Sequence, residues 1–186
     1  MTDEERTDKL TRYEPWLRCL ARMEIDSRFQ GKFSASDAVQ QTMLAAWQGW
    51  DKFRGEDESQ RRAWLRKILA FQLANLARHY AGTQKRDVAR EFSIDVSLTQ
   101  SSLRLESLLV AEESTPSAKA IFNEQTLRLA EVLERLSDDH RQVIFLRNLQ
   151  DLTHEEVALR MNRSVGAVRM LWVRALAALR EALMEK

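Results

Sequence analysis

The residues of this sequence best suited to chemistry are arginines near its carboxyl-terminal end. Residues 160–186 include six basic residues and two acidic ones. Arginine binds phosphate oxygens and guanine edges, and small neighbouring side chains let a helix enter the major groove of DNA. The candidates are Arg163, Ser164, Val165, Ala167, Arg169, Met170 and Arg174. Their types predict a surface that contacts DNA; solvated arginines on an ordinary helical hairpin are the alternative.

A second basic segment covers residues 61–90, where eight basic residues accompany a single acidic one. At about 100° per residue, most of these charges share one side of a helix with alanines, opposite Leu65 and Leu69. That side contains Arg62, Ala63, Arg66, Lys67, Ala70, Ala74, Arg78, Ala81 and Lys85. Small residues between positive charges let a nucleic-acid backbone approach. We predict a nucleic-acid face; a solvated helix face is the alternative, which the scarcity of acidic residues disfavours.

Polar amides gather on one side of a helix predicted within residues 36–52. That side, opposite the tryptophans, carries Asp37, Gln40, Gln41, Leu44 and Gln48. An exposed leucine among amides indicates a surface for a protein partner. Single exposed leucines without a partner are equally common, so both interpretations stay open.

The carboxyl-terminal arginines need a framework, and the sequence contains the signals of a helix-turn-helix. Thr153 and Glu156 fit a capping box at the start of a short helix. Asn162 can adopt the left-handed conformation that ends this helix, and Ser164 can cap the next one. In that last helix one apolar stripe contains Val168, Trp172, Ala175 and Leu179. A short helix, a three-residue turn and a longer helix have helix-turn-helix proportions.

Composition predicts helix throughout the chain. With only five Gly and two Pro among 186 residues, long stretches contain no helix-breaking residue. We predict an all-α protein with two small helical domains joined by a flexible linker, the second a helix-turn-helix domain of four helices. The predicted boundaries are residues 1–91, 92–118 and 119–186. The linker prediction rests on Ser and Thr content and weak periodicity, with a short helix expected around residues 103–111.

The residue sets that catalysis or metal binding would need are missing. The sequence has no glycine-rich phosphate loop and no nucleophile with its base. Cys19 is the only cysteine, and the three histidines are far apart. We expect no enzyme activity, no cofactor and no metal. No signal peptide and no apolar run approaching ~18 residues is found, so we expect a cytoplasmic protein without membrane insertion.

Four stretches together resemble one family. They are DAVQQTMLAAW (37–47), WLRKIL (64–69), QKRDVARE (84–91) and LSDDHRQVIFLRNLQDLTHEEVALRMNRSVGAVRMLWVRAL (136–176). This sequence resembles the extracytoplasmic-function sigma factors of the sigma-70 family, with region two, a short linker and region four in that order. The resemblance covers nearly the whole chain except its first dozen residues and the linker.

The resemblance implies a transcription initiation factor that binds core RNA polymerase, at its clamp and flap regions, and promoter DNA. The clamp surface would be the helix of Asp37, Gln40, Gln41 and Leu44. The loop at 53–60 and the long helix after it would hold a flipped base of the minus-ten element. The residues that the resemblance implies for contact with the minus-ten element are Arg62, Arg66, Lys67, Phe71, Asn75, Arg78, Lys85 and Arg86. The helix from Ser164 would read the minus-thirty-five element.

Two pairs of residues depart from the family pattern. Many members have Asn and Asp where Phe71 and Asn75 stand, and a Ser-Arg pair where Met170 and Leu171 stand. An anti-sigma partner is common in the family, although no residue here requires one. The first alternative function is a stand-alone helix-turn-helix regulator, which would bind its operator tightly without polymerase. The second is an adaptor that bridges helical partners and binds no DNA.

Overall fold

Helices make up all the regular structure of the part of the chain that the computed structural model describes, residues 2–28, 34–80, 88–109 and 116–185. The helices are α1 (Asp3–Thr11), α2 (Glu14–Arg28), α3 (Ala35–Gly49), α4 (Glu58–Tyr80), α5 (Val88–Glu106), α6 (Pro116–Arg135), α7 (Asp138–Ile144), α8 (His154–Met161) and α9 (Val165–Met184). A 3₁₀ turn (Trp50–Lys52) follows α3, and a π-helical turn (Phe145–Leu149) continues α7. The predicted all-α class is confirmed.

The amino-terminal half is built around α2. Tyr13, Trp16, Leu17 and Leu20 are fully buried, and α2 packs against α3, α4, α5 and α6. Ser34 caps α3 by accepting a hydrogen bond from the backbone N–H of Asp37 at 3.1 Å. The cap fixes where α3 begins, and burial of Ala38, Val39 and Ala46 fixes which side faces α2 and α4.

The carboxyl-terminal half contains the four predicted helices, α6 to α9. Its core includes Val143 of α7, Leu149 of the π-helical turn, Val157 of α8, and Val168 and Ala175 of α9. The stripe predicted on α9 is confirmed, because Val168 and Ala175 are fully buried, Leu179 is nearly so and Trp172 is half-buried. The helix-turn-helix therefore rests on a continuous apolar base.

The segment expected as linker is largely helical. α5 runs from Val88 to Glu106, whereas the sequence indicated only a short helix further along. Ile94, Leu98 and Leu105 are fully buried at helical spacing. Serines and threonines obscured this periodicity. Thr99 donates within the helix to the carbonyl of Asp95, whereas Ser97 donates to the carboxylate of Glu24 on α2.

The two halves are in contact through α2, α4 and α5. Cys19 of α2 is fully buried, with its Sγ atom 3.9 Å from the carbonyl oxygen of Ala130 on α6. Arg22 forms an ion pair of 2.7 Å with Glu134 of α6. Arg104 of α5 donates to the carbonyl of Leu149 at 2.9 Å. Apolar packing and polar contacts thus join the halves in this structure.

Candidate nucleic-acid interface

The amino-terminal end of α9 is built by three local signals. Thr153 and Glu156 form the capping box that starts α8, with both reciprocal bonds present. Asn162 ends α8 in the left-handed conformation, with φ 51° and ψ 50°. Ser164 caps α9 by accepting from the backbone N–H of Ala167 at 3.2 Å. These predictions are confirmed, and together they fix the turn that projects the start of α9.

The arginines predicted to contact the minus-thirty-five element are all exposed. Arg163 forms an ion pair with Asp139 at 2.7 Å, and Arg169 lies 3.6 Å from Glu155. Exposed ion pairs contribute little free energy, so phosphate groups could replace these carboxylates at small cost. Of the other residues predicted to contact this element, Ser164, Ala167, Met170 and Arg174 are exposed and Val165 is half-buried.

Trp172 holds α9 against the rest of its domain. Its indole N–H donates to the side-chain oxygen of Asn148 at 2.9 Å. His154 packs edge-on against the same ring, and the guanidinium of Arg147 lies 6.0 Å from its centre. Asn148 and Arg147 belong to the π-helical turn, a feature often found at functional sites. The turn therefore helps to orient α9.

The predicted nucleic-acid face of α4 is only partly open. Lys67 is exposed, but Ala70 and Ala74 are 1% and 4% exposed. Arg62 is 7% exposed and Arg66 is half-buried. Burial lowers the pKa of Arg66, while the nearby charge of Asp95 opposes that change. At Ala70 the neighbouring element is α5, because Phe92 and Asp95 line a cleft together with Lys67 and Ala70.

The remaining minus-ten candidates lie further along α4 and beyond it. Phe71, Asn75 and Arg78 are half-buried, and Arg78 donates to the side-chain oxygen of Asn75. Lys85 and Arg86 lie outside the described residues. The structure therefore brings Arg62 and Arg66 together under α5, and places Asn75 and Arg78 towards the end of α4.

An aromatic cleft lies where the 53–60 loop meets the start of α4. Its volume is about 430 Å³. The lining residues are Lys52, Phe53, Arg54, Gly55, Gln60, Ala63, Trp64 and Lys67. The rings of Phe53 and Trp64 lie 4.9 Å apart at 30°. Aromatic faces and cations are what a single unstacked base needs for binding.

The face of α3 is open. Asp37, Gln40, Gln41, Leu44 and Gln48 are all exposed, and 54% of Leu44 is accessible. The opposite side of the helix is buried through Val39, Thr42 and Ala46. The predicted division between a packed side and an amide side is therefore observed, and the amide side is available to a partner.

Neither a metal centre nor a membrane span occurs in the described part of the chain. No group of three or more His, Cys, Asp or Glu side chains there could hold a metal ion. None of its helices combines the length and apolarity needed to cross a bilayer.

Several contacts of the site were not predicted from the sequence. Asp139 pairs with Arg163, Glu155 lies near Arg169, and Trp64 lines the cleft. Glu106 binds Arg62. Helical spacing indicates which residues share a face of one helix, whereas these contacts join different elements. The acidic and aromatic residue types were therefore the only signal in the sequence for these contacts.

Comparison with known proteins gives one family. Of solved structures, the chain aligns with the sigma factor RpoE bound to the anti-sigma factor NepR from Bartonella quintana, at 20% identity and a TM-score of 0.34 over 96% of this chain and 97% of the other. By sequence it matches Sigma-70 region 2 at residues 10–86 and Sigma-70, region 4 at residues 132–181.

Curated relatives agree with these matches. The ECF RNA polymerase sigma-E factors of Escherichia coli (strain K12) and Salmonella typhimurium (strain LT2) are each 33% identical over 157 residues, covering 80% of this chain and 73% of theirs. That of Haemophilus influenzae is 26% identical over 149 residues, covering 80% of this chain and 74% of its own. The chain therefore belongs to the sigma-70 family, as a member of its ECF group of RNA polymerase sigma factors.

Proposed function

We propose that this sigma factor binds core RNA polymerase through the amide face of α3 and promoter DNA through α9 and α4. The observation that carries the proposal is the exposure of two separate surfaces, the arginine end of α9 and the amide face of α3 around Leu44. A regulator that acts alone needs only the first surface. The second surface favours a factor that bridges polymerase and DNA.

At the minus-thirty-five element, α9 enters the major groove by its amino-terminal end. Arg163, Arg169 and Arg174 supply positive charge, and Ala167 and Gly166 leave room for the duplex, since a side-chain carbon at Gly166 would meet no atom within 4 Å. Met170 stands where the family often has Ser, so an apolar contact replaces a polar one at this position.

At the minus-ten element, the aromatic cleft receives an unstacked base. Extruding a base costs a few kcal/mol, and stacking against an aromatic ring returns about 1–3 kcal/mol. Phe53 and Trp64 provide the rings, and Lys52 and Lys67 provide charge for the strand. The cleft thus supplies a site that holds promoter DNA open.

The chain acts by binding and not by catalysis, and its site of action is the cytoplasm, where the polymerase is found. Its partners are core polymerase, at the clamp and flap regions, and promoter DNA. An anti-sigma factor is a further partner for which the comparison offers a precedent, since the RpoE structure holds NepR. The predicted domains, 1–91 and 119–186, divide the minus-ten and minus-thirty-five tasks.

Reconstituted initiation tests the proposal. The full chain is mixed with Escherichia coli core polymerase and a plasmid library whose upstream sequence is randomised, and the 5′ ends of the transcripts are sequenced. We expect transcripts that share two separated upstream motifs. Tight binding of duplex DNA without polymerase, and no initiation, would instead indicate a stand-alone regulator. Binding of neither polymerase nor DNA would contradict the proposal as well.

A pair of variants tests the polymerase surface. Leu44→Arg places a charge in the centre of the amide face, and we expect loss of polymerase binding in a pull-down and of initiation. Met184→Arg makes the same change at another exposed residue, at the end of α9, and should leave both unchanged. Equal effects of the two variants would show that the α3 face has no special role.

A further inference from the structure

The nucleic-acid face of α4 is covered by α5 in this structure. Ala70 and Ala74 on that face are almost inaccessible, and Ile94 and Leu98 of α5 are fully buried. A cleft lined by Lys67, Ala70, Phe92 and Asp95 marks the edge along which the two helices meet. A DNA strand cannot contact the covered part of α4 while α5 remains there.

Acidic side chains of α5 take the places that phosphate groups would occupy. Glu106 accepts a hydrogen bond from Arg62 at 2.8 Å, in an ion pair whose two side chains are 17% and 9% exposed. The charge of Asp95 acts on Arg66. α5 thus places one carboxylate on Arg62 and a second negative charge near Arg66, and it competes with DNA for these two arginines.

Arg62 connects four elements at one point. From α4 it donates to Glu106 of α5 and to the side-chain oxygen of Asn123 on α6. Its guanidinium also lies 6.0 Å from the ring centre of Trp16 on α2. Ser102 donates to the same Glu106 oxygen at 3.2 Å. Removing the Glu106 charge would leave Arg62 buried without a counterion, which favours any arrangement that returns it to water.

With α5 packed on α4, the chain is too compact to reach both promoter elements at once. Elements named minus-ten and minus-thirty-five are about 25 base pairs, or roughly 85 Å, apart along DNA at 3.4 Å per pair. A compact chain of 186 residues has a radius of gyration of about 16 Å, hence a diameter of roughly 40 Å. The two halves must separate before both elements can be bound.

We propose, on the premise that the protein acts at promoters as argued above, that α5 is an intramolecular cover which Arg62 latches over the nucleic-acid face of α4. The closed form leaves the amide face of α3 and the arginine end of α9 accessible. Polymerase can therefore bind first, and α5 leaves α4 before the minus-ten element is bound.

The single cysteine reports the opening. Cys19 is fully buried between α2 and α6, so its alkylation by iodoacetamide in the full chain requires the halves to part. Glu106→Gln removes the latch charge, and Glu4→Gln makes the same change on exposed α1. For Glu106→Gln we expect alkylation about tenfold faster, and about tenfold tighter binding of a mixed-sequence 20-nucleotide single strand without polymerase. Wild type and Glu4→Gln should behave alike.

Hydrogen exchange gives a test that needs no variant. In wild type, the α5 amides should be protected in the free chain and should lose protection when core polymerase and a promoter fragment are added. Protection that persists in an initiating complex would overturn the cover and leave the proposed function intact. Absence of initiation would count against the proposed function. The cysteine alkylation and single-strand binding measurements would still show whether α5 covers α4. Wild-type rates and affinities in a folded Glu106→Gln chain would also overturn it.

Discussion

Two arginines with the same charge stand in opposite surroundings in this protein. Arg169 is exposed, and the Glu155 carboxylate that lies 3.6 Å from it is exposed as well. Arg62 is buried and holds a carboxylate at 2.8 Å. An exposed pair contributes about 0–1 kcal/mol, whereas breaking a buried pair by removing one partner costs about 3–5 kcal/mol. Under the proposed function, Arg169 is accessible to DNA as it stands, whereas Arg62 becomes accessible only after a rearrangement.

Arg169→Ala should weaken promoter binding by the polymerase complex and reduce the slope of log affinity against log salt by about 0.9, the value for one phosphate contact. Filter binding between low and moderate salt measures the slope. Arg180→Ala is the matched control, because Arg180 is also exposed but lies about 16 Å further along α9 at 1.5 Å per residue. A slope change in the control, or none in Arg169→Ala, would contradict the contact.

Gly55→Ala should impair promoter opening while polymerase binding stays normal. A side-chain carbon at Gly55 would collide with the ring of Phe53, which forms one wall of the aromatic cleft. The ring must move, and the cleft changes shape. Permanganate reactivity of unpaired thymines measures opening. Gly49→Ala is the control, because its added carbon meets only Trp64 at an ordinary 3.6 Å; equal losses in both variants would contradict this role for the cleft.

At the scale of elements, the turn between α8 and α9 is set by local hydrogen bonds. The capping box at Thr153 starts α8, left-handed Asn162 ends it, and Ser164 starts α9. Each bond satisfies a backbone group that a helix end otherwise leaves unpaired. The orientation of α9 therefore depends on a few short-range contacts and on its own Trp172, which bonds to Asn148.

Thr153→Ala should lower the free energy of unfolding by about 1 kcal/mol, the usual cost of losing an N-cap. Urea denaturation followed by circular dichroism measures it. Thr7→Ala is the control, because Thr7 is exposed inside α1, where alanine is the better helix former. An equal loss in the control would show that the effect is not one of capping.

The same cap predicts a pH dependence. The backbone N–H of Thr153 lowers the pKa of Glu156 below its ordinary 4.5, with the Thr153 hydroxyl as the second cause. The stabilisation is therefore present above pH 4.5 and is lost as the pH falls through the folded-state pKa. Glu156→Gln should be less stable than wild type at pH 6, and the difference should shrink on acidification. A constant difference between pH 6 and pH 3 would contradict this linkage.

At the scale of the whole molecule, the contact between the halves combines apolar burial with ion pairs. Cys19 and Ala130 are fully buried where α2 meets α6, and Arg22 and Arg18 face Glu134 at 2.7 and 3.6 Å. Burial, and secondarily the Glu134 charge, raise the pKa of the Cys19 thiol far above its usual range. Its reactivity is therefore low in the closed form.

Glu134→Lys should separate the halves, because it sets a third positive charge against Arg18 and Arg22. Small-angle X-ray scattering of the free chain should give a radius of gyration near 16 Å for wild type, the value for a compact chain of this length. The variant should give a larger radius with unchanged helix content. Glu131→Lys lies on the same helix at an exposed position and should match wild type; an unchanged radius in Glu134→Lys would contradict the role of this ion pair.

Some parts of the site could be predicted because their signals are local. Capping residues, the left-handed Asn162, the buried stripe of α9 and the amide side of α3 all depend on spacing within one helix or turn. The neighbours of α4 could not be predicted in this way. A helical wheel places Arg62 and Ala70 on a shared face but cannot say whether DNA, water or another helix lies against it.

By itself, then, the sequence determined most of the helices, the helix-turn-helix and the presence of two basic segments, because backbone hydrogen bonding and side-chain periodicity act over a few residues. Only the tertiary structure decided that residues 88–106 form a helix that packs onto α4 and that Glu106 binds Arg62 across 44 residues. Those outcomes depend on contacts between distant elements, where burial of Ile94 and Leu98 stabilises α5 in its place.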